Sequence, residues 1–432
     1  MEKWKKGIFV LAMVFLFSVS SFTVAFGQEI KIGVAGPMAY VQGEHHWFGA
    51  DMAQAEINAK GGILVGKTKR PIKLVKVDTN EILSVTDAAS AVERTITRDK
   101  VDFIVGGFRT EAVLAMQDIA MDYKKIFLIC GAAHPEMCRR VAKDYERFKY
   151  TFRVTPVNST FLARISFLMT GMVGGMARKE LGIPKPKVAL LIEKAAWADP
   201  IAAAAEKTIP GMEMEIVGTW RPSATATEVT AELSAIKGAG AHMIYHILSG
   251  PVGVPYGKQW GELKIPAAAT GINVEAQKKG FWEATRGMGN YQLTVNTLGR
   301  AEITAETIPW YDEFTKRAGE FPTYNAGTHA AIYILKEAIE RAGTLEAGAV
   351  VLEMEKTDYV GPGGRYKFFP KDHEIAHDLI WGPGFVTATG TQWQDGELKV
   401  VWPPPGGVWE KVDYKGAVMY RLPPWVKEHW KK

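Results

Sequence analysis

From Glu29 onward the apolar positions of this chain switch repeatedly between two periods. Short unbroken apolar runs alternate with stretches in which apolar residues recur every three or four positions, the marks of buried strands and amphipathic helices. Glu29–Ala35 (EIKIGVA) predicts a buried strand, and a helix follows from about Trp47 to Lys60, stopped by Gly61-Gly62. Pro71–Val77 predicts a second strand, and the next helix has Val85, Ala89, Val92 and Ile96 on its apolar face. Val101–Val105 predicts a third strand, Thr110 to about Tyr123 a helix, and Ile126–Cys130 a fourth strand.

Beyond Thr155-Pro156 the alternation resumes. A long helix is predicted over Thr160–Leu181, then the strand Lys187–Ile192, a helix near Ala198–Lys207, and the strand Met214–Thr219. A helix over Glu228–Lys237 precedes the strand Ala241–Ile247, and Ala267–Thr270 and Gln292–Asn296 give further strands. Such alternation implies parallel, doubly wound sheets, and roughly 400 residues exceed what one hydrophobic core usually serves. Two α/β lobes in series are therefore expected. The tail departs from the pattern: helices are predicted over Thr328–Arg341 and Leu345–Met354. Past Asp358 the richness in Gly, Pro and aromatics favours pairs of short strands.

The first residues carry a different signal. Lys3, Lys5 and Lys6 form a basic start, Gly7–Phe26 is nearly unbroken apolar, and Ala25 and Gly27 flank a cut before Gln28. That order is the export-signal pattern, so residues 1–27 are expected to be removed and the remainder to be free in the periplasm. The rival, a retained membrane anchor, is weakened by Ser18, Ser20, Ser21 and Thr23. No later stretch is read as a membrane helix. Of the net charge of +5, three lysines against Glu2 put +2 in the leader, leaving about +3 spread without a basic block. Nothing there favours nucleic acid. Cys130 and Cys138 are either one local disulfide or two buried thiols.

In open parallel sheets, ligands bind beyond the carboxyl ends of the strands. That rule selects Gly36–Tyr40, Gly106–Thr110 and Gly131–His134 in the first block, and Glu193–Trp197, His246–Gly250 and Gly271–Asn273 in the second. Small residues at these turns let backbone N–H groups approach a ligand, and helix N-termini favour its anionic end. Tyr40 and Trp197 offer aromatic walls, and Arg109 can fork a carboxylate. Bland alternatives stand beside each: tight turns for the glycine pairs, a surface ion pair with Glu111 for Arg109, ordinary packing for Trp197.

With these segments in order, the chain resembles the periplasmic ligand-binding proteins of the leucine/isoleucine/valine type. The resemblance rests on KIGVAGPM, NAKGGI, PIKLVKVDTN, VDFIVGGFRTEAVLA, IFLICGAAHPE and FRVTP. It continues late in the chain through TYNAGTHAAIYILKEAIERAGT, VGPGGRYKFFPKDH and TQWQDGELKVVWP. It implies a type I clamshell of two doubly wound parallel-sheet lobes joined by three hinge crossings, near Thr155, Leu298 and Asp378. Lobe 1 is then 28–154 plus 299–378, and lobe 2 is 155–298 plus 379–432. It implies no catalysis, cofactor or metal, and a small-molecule ligand handed to the membrane subunits of an ABC permease. A monomer is expected, since delivery needs both lobe faces free.

By motif position the resemblance implies that Arg109 or Thr110, with Ala132, Ala133 and His134, bind a carboxylate, and that Trp197 covers the ligand. Asn273 stands where amino-acid binders of this type place an acidic residue for the ammonium, and Glu275 lies two residues on. Ala-Ala-His replaces the usual hydroxyl-bearing loop. A branched-chain or other hydrophobic amino acid is expected first, with aromatic or other organic acids or amides as the alternative.

Readings from other classes are weaker. His373-Glu374-Ile375-Ala376-His377 matches the HExxH zinc-protease motif, but Pro370 and Gly382-Pro383-Gly384 leave barely two turns for its helix. His45-His46 beside Glu44 is read as lining a surface or the cleft rather than holding a metal. Asn158-Ser159-Thr160 matches a glycosylation acceptor and is read instead as a helix cap. A receptor ectodomain is a third class, and the charged stretch from Pro423 to Lys432 holds no spanning run.

Overall fold

The computed structural model describes residues 28–431; the leader read over 1–27 lies outside them. Ile30–Gly36 is a central strand, with Ile30, Ile32 and Val34 wholly buried. It pairs in parallel with Ile72–Asp78 on one side and Phe103–Gly106 on the other. Phe127–Ile129 and Thr151–Arg153 complete a five-stranded parallel sheet. Strands covered by helices on both faces bury both alternating sets of side chains, which is why they read as continuous apolar runs.

The second lobe repeats the plan. Lys187–Ile192 lies between Glu215–Trp220 and Met243–Leu248, and Ala268–Asn273 forms the edge, all parallel. Against that edge lies a third, antiparallel sheet of Leu293–Asn296, Thr389–Gln394 and Glu397–Trp402. The Thr294 hydroxyl joins the two sheets, accepting from Asn273 N at 2.8 Å and donating to Asn273 O at 3.1 Å.

The chain leaves the first sheet after Thr151–Arg153 and enters the helix Ser159–Leu181, which packs on Ala268–Asn273 of the second lobe. Asn158 caps that helix: its Oδ1 accepts from Thr160 N at 3.0 Å and Phe161 N at 3.2 Å. Gly182, in the left-handed region at φ +66°, ends it. By length and composition this helix could cross a membrane, which the sequence reading did not register. Twelve of its residues are buried inside the protein, so its apolar character serves a protein core. After Leu293–Asn296 the chain returns, and the helix Thr328–Ala342 packs on Val41–Ala59 of the first lobe. It then leaves again for Thr389–Gln394.

Most predicted elements differ from the observed ones by a few residues at their ends. The first helix differs more, running over Val41–Ala59 and so starting six residues ahead of Trp47. Six helices have no counterpart in the sequence reading: Glu136–Lys143, Tyr145–Phe148, Gly253–Glu262, Gly280–Ala284, Thr307–Ala318 and Pro424–Trp430. The tail holds the antiparallel pair Tyr359–Gly361 and Gly364–Tyr366. Cys130 and Cys138 are both buried and free.

Candidate functional site

The strand Phe103–Gly106 ends in a turn that only glycine can make. Gly106 and Gly107 sit at φ +113° and +82°, and a Cβ on Gly106 would collide with the Ala35 carbonyl. The turn delivers Phe108 and Arg109 to the gap between the lobes and starts the helix Thr110–Asp122. Two of its amides are already used. The buried Glu81 carboxylate accepts from Phe108 N at 2.8 Å, Arg109 N at 2.7 Å and the Thr79 hydroxyl at 2.8 Å. Burial pushes the Glu81 carboxyl up, against the pull of these donors.

Arg109 reaches across to the second lobe. Its Nη1 lies 3.7 Å from Glu193 Oε1 and donates to Ser249 Oγ at 3.4 Å, while Nε lies 3.9 Å from Glu111 Oε2. These contacts are long, and none is the two-pronged pairing a guanidinium makes with a carboxylate. Beside it, the Thr110 hydroxyl is buried at the first turn of its helix with no hydrogen-bond partner.

Opposite stands Glu193, wholly buried at the end of Lys187–Ile192. Its Oε1 accepts from the Trp197 indole at 2.8 Å and from the Ser249 hydroxyl, and its Oε2 from Ser249 N at 2.8 Å and Gly250 N at 2.9 Å. With Arg109 alongside, this carboxylate has no acceptor site left for a ligand, and it pins Trp197 in place. The Glu111 carboxylate also crosses the gap, accepting from Ala196 N at 3.2 Å. The two lobes thus touch around a small cavity.

The cavity is walled mainly by apolar side chains: Phe108 and Tyr324 from the first lobe, and Leu162, Trp197, Ile272 and Val295 from the second. Its polar lining is Arg109, Thr110, Ser249, Gln277 and Thr297. A few polar groups in an apolar enclosure is the usual make-up of a small-molecule site. Burial and the nearby Glu193 raise the Tyr324 phenol out of any physiological titration.

Of the residues singled out in the sequence, Arg109, Thr110, Ala133 and Trp197 line this cavity together. The other four do not, each for a physical reason. Tyr40 precedes the helix Val41–Ala59 as its N-cap residue, its carbonyl accepting from Glu44 N at 3.1 Å. The carbonyls of Ala132 and His134 accept from the Arg153 guanidinium, the latter at 2.6 Å. The His134 ring turns toward the next helix, accepting from Glu136 N at 3.1 Å, and burial together with Arg153 lowers its pKa. Asn273 is consumed in joining elements: its Nδ2 donates to Gly253 O at 3.0 Å and Gln292 Oε1 at 2.6 Å. Glu275, the alternative partner for an ammonium, is paired with Lys278.

Sequence reasoning missed Gln277, Tyr324 and the role of Glu193. Ser249 and Glu193 fell inside selected segments, and Tyr324 inside a resembling one. Gln277 carried no signal. His45 and His46 are buried rather than surface-lining, bonding Thr323 Oγ1 at 2.9 Å and Cys130 O at 3.1 Å. The HExxH segment is not a helix. His373 stacks on Phe369, whereas His377 is buried between Thr151 O and Glu355 at 3.0 and 2.9 Å. Among the described residues no cluster of three or more His, Cys, Asp or Glu is arranged to hold a metal.

Residues 29–382 match the family described as periplasmic binding protein, and the chain belongs to that family. It is similar to an amino acid binding protein of Pseudomonas aeruginosa, 31% identical over 140 residues, which span 32% of this chain and 35% of that protein. It is also similar to a Leu/Ile/Val-binding protein homolog of Brucella abortus, 22% identical, the match covering 87% of this chain and 92% of that one. Among solved structures, a Streptococcus pneumoniae branched-chain amino acid transporter substrate-binding protein with isoleucine superposes at TM-score 0.70, with 20% identity and coverage of 86% and 99%. An R. palustris solute-binding protein with benzoate superposes at 0.69, with 18% identity and coverage of 86% and 95%. Both show the same two-lobed type I fold.

Proposed function

We propose that this chain is the substrate-binding component of an ABC importer, exported behind residues 1–27 and closing as a monomer on a small apolar carboxylic acid. It performs no chemistry itself. The lobes hinge near Thr155, Leu298 and Asp378 in this reading, dividing the chain into 28–154 with 299–378 and 155–298 with 379–432. The observation that carries it is the corner formed by Arg109 and Thr110. A guanidinium with only long contacts stands beside an unpartnered buried hydroxyl at a helix N-terminus, inside an otherwise apolar cavity. An incoming carboxylate supplies what each group lacks and meets the positive end of the helix.

A hydrophobic amino acid is the second reading, favoured by the names of the relatives. Its ammonium needs an acceptor of negative charge. Glu193 is fully engaged, Glu275 is held by Lys278, and the Asn273 amide is spent on Gly253, Gln292 and Glu275 N. An acid without an ammonium, as in the benzoate-bound relative, suits the lining better. Isothermal titration of the protein, unfolded and refolded to strip carried-over ligand, tests this with benzoate, phenylacetate, leucine, isoleucine and phenylalanine. The expected result is tight binding of an acid, weakened more than tenfold by Arg109→Ala, about 1.4 kcal/mol. Unchanged affinity in that variant refutes the carboxylate corner, and binding of amino acids alone installs the second reading.

A further inference from the structure

One polar side chain of the cavity lining has no use in the reading above. Gln277 ends the short turn Glu275–Gln277 that follows the strand Ala268–Asn273, and its side chain is buried with 1% exposure. Its Nε2 donates to Val295 O at 2.9 Å. Since a backbone carbonyl can only accept, the amide cannot be turned the other way, and Oε1 is committed to the opposite direction. That oxygen is buried with no hydrogen-bond partner among the described residues, and Gln277 lines the cavity. Val295, which its nitrogen touches, and the lining residues Ile272 and Val274 offer no side-chain donor. Lys278, next in sequence, is held by Glu275.

We infer that Gln277 is a specificity-determining residue, reading a neutral hydrogen-bond donor on the ligand, a hydroxyl or an amide N–H, at a point away from its carboxylate. This rests on the acid reading of the Arg109–Thr110 corner. The donor is neutral because an amide oxygen offers a dipole and no counter-charge, and an ammonium stripped of water among valines and isoleucines is strongly penalised. The ligand is then an apolar acid with a second polar group, and an acid lacking that group leaves the Gln277 oxygen buried and unpaired. Thr110 belongs to the first lobe and Gln277 to the second, so a ligand meeting both does so only when the lobes are together.

The test is calorimetric titration with matched acids that differ by one hydroxyl: benzoate and 4-hydroxybenzoate, phenylacetate and 4-hydroxyphenylacetate, isocaproate and 2-hydroxyisocaproate. The wild-type protein is expected to prefer the hydroxylated member of at least one pair by about tenfold or more, the scale set by leaving a buried acceptor unpaired. Gln277→Leu, close in volume, is expected to abolish that preference. Equal binding within every pair by the wild-type protein overturns the inference without touching the acid reading, and needs no variant to fold. So does a preference that survives Gln277→Leu. If no acid of either kind binds, the carboxylate corner fails and the role of Gln277 falls with it.

Discussion

Asp378 is a point where a single substitution should cost heavily. Its carboxylate is wholly buried and accepts from Arg153 Nε at 2.8 Å, Asn158 Nδ2 at 2.9 Å and its neighbour Leu379 N at 2.9 Å. Arg153 is equally buried, and its other nitrogens donate to the carbonyls of Ala132 and His134. Asp378→Ala leaves a guanidinium in the interior with two carbonyl dipoles and no counter-charge. Removing one partner of such a pair costs about 3–5 kcal/mol, a large share of the roughly 5–15 kcal/mol that holds a typical protein folded. Arg153→Met with Asp378→Leu removes both charges, and is expected to recover at least about 1 kcal/mol over the sum of the single changes. Equilibrium urea unfolding of the two singles and the double gives the coupling directly. The same arginine shapes the loop that puts Gly131 and Ala133 in the cavity wall, so ligand affinity should fall in Asp378→Ala along with stability. A loss below about 1 kcal/mol, or strict additivity in the cycle, refutes the claim that the pair is held as buried charges.

Two further outcomes follow from buried groups. His45, His46 and His246 are held neutral by burial, with pKa values lowered from 6.5 to about 3, 4 and 3. The unfolded chain therefore takes up protons below about pH 6.5 that the folded one refuses; the stabilisation is complete above that pH and is lost as pH falls toward the folded values. The melting temperature should drop steadily between pH 6.5 and 5, before most carboxylates titrate, and a flat profile there contradicts the burial of these rings. Burial likewise raises the thiols of Cys130 and Cys138, so a maleimide should label neither in the native protein and both in urea. Rapid native labelling of either rules out its buried state.

The frame of this molecule is legible because it depends on short-range pattern. A strand such as Ile30–Gly36 is apolar but for Lys31 since helices cover both its faces, and strand order alone points to the carboxyl ends where Arg109, Thr110, Ala133 and Trp197 meet. What escapes is whatever a distant partner decides. The first helix was expected late because Gln42, His45 and His46 are polar. They are buried all the same, bonded to Glu275, Thr323 and Cys130 far along the chain. The helix Gly253–Glu262 holds three glycines and a proline, a poor local prospect. Yet Gly257 and Gly261 are where Phe281 and the Met288 backbone come too close for a Cβ, so packing overrides propensity.

The cavity follows the same rule. His134 and Asn273 sit in the right segments, but Arg153, Gly253 and Gln292 claim their polar groups or neighbouring carbonyls first. Gln277 is the converse case: a residue with no motif, made available because Val295 takes its nitrogen and leaves its oxygen. Local pattern therefore identifies which loops surround the cavity, whereas the chemistry the cavity offers is set by the polar atoms that long-range bonding leaves unspent. Two chains with the same strand-end loops can accordingly bind different molecules, if the partners that occupy those atoms differ.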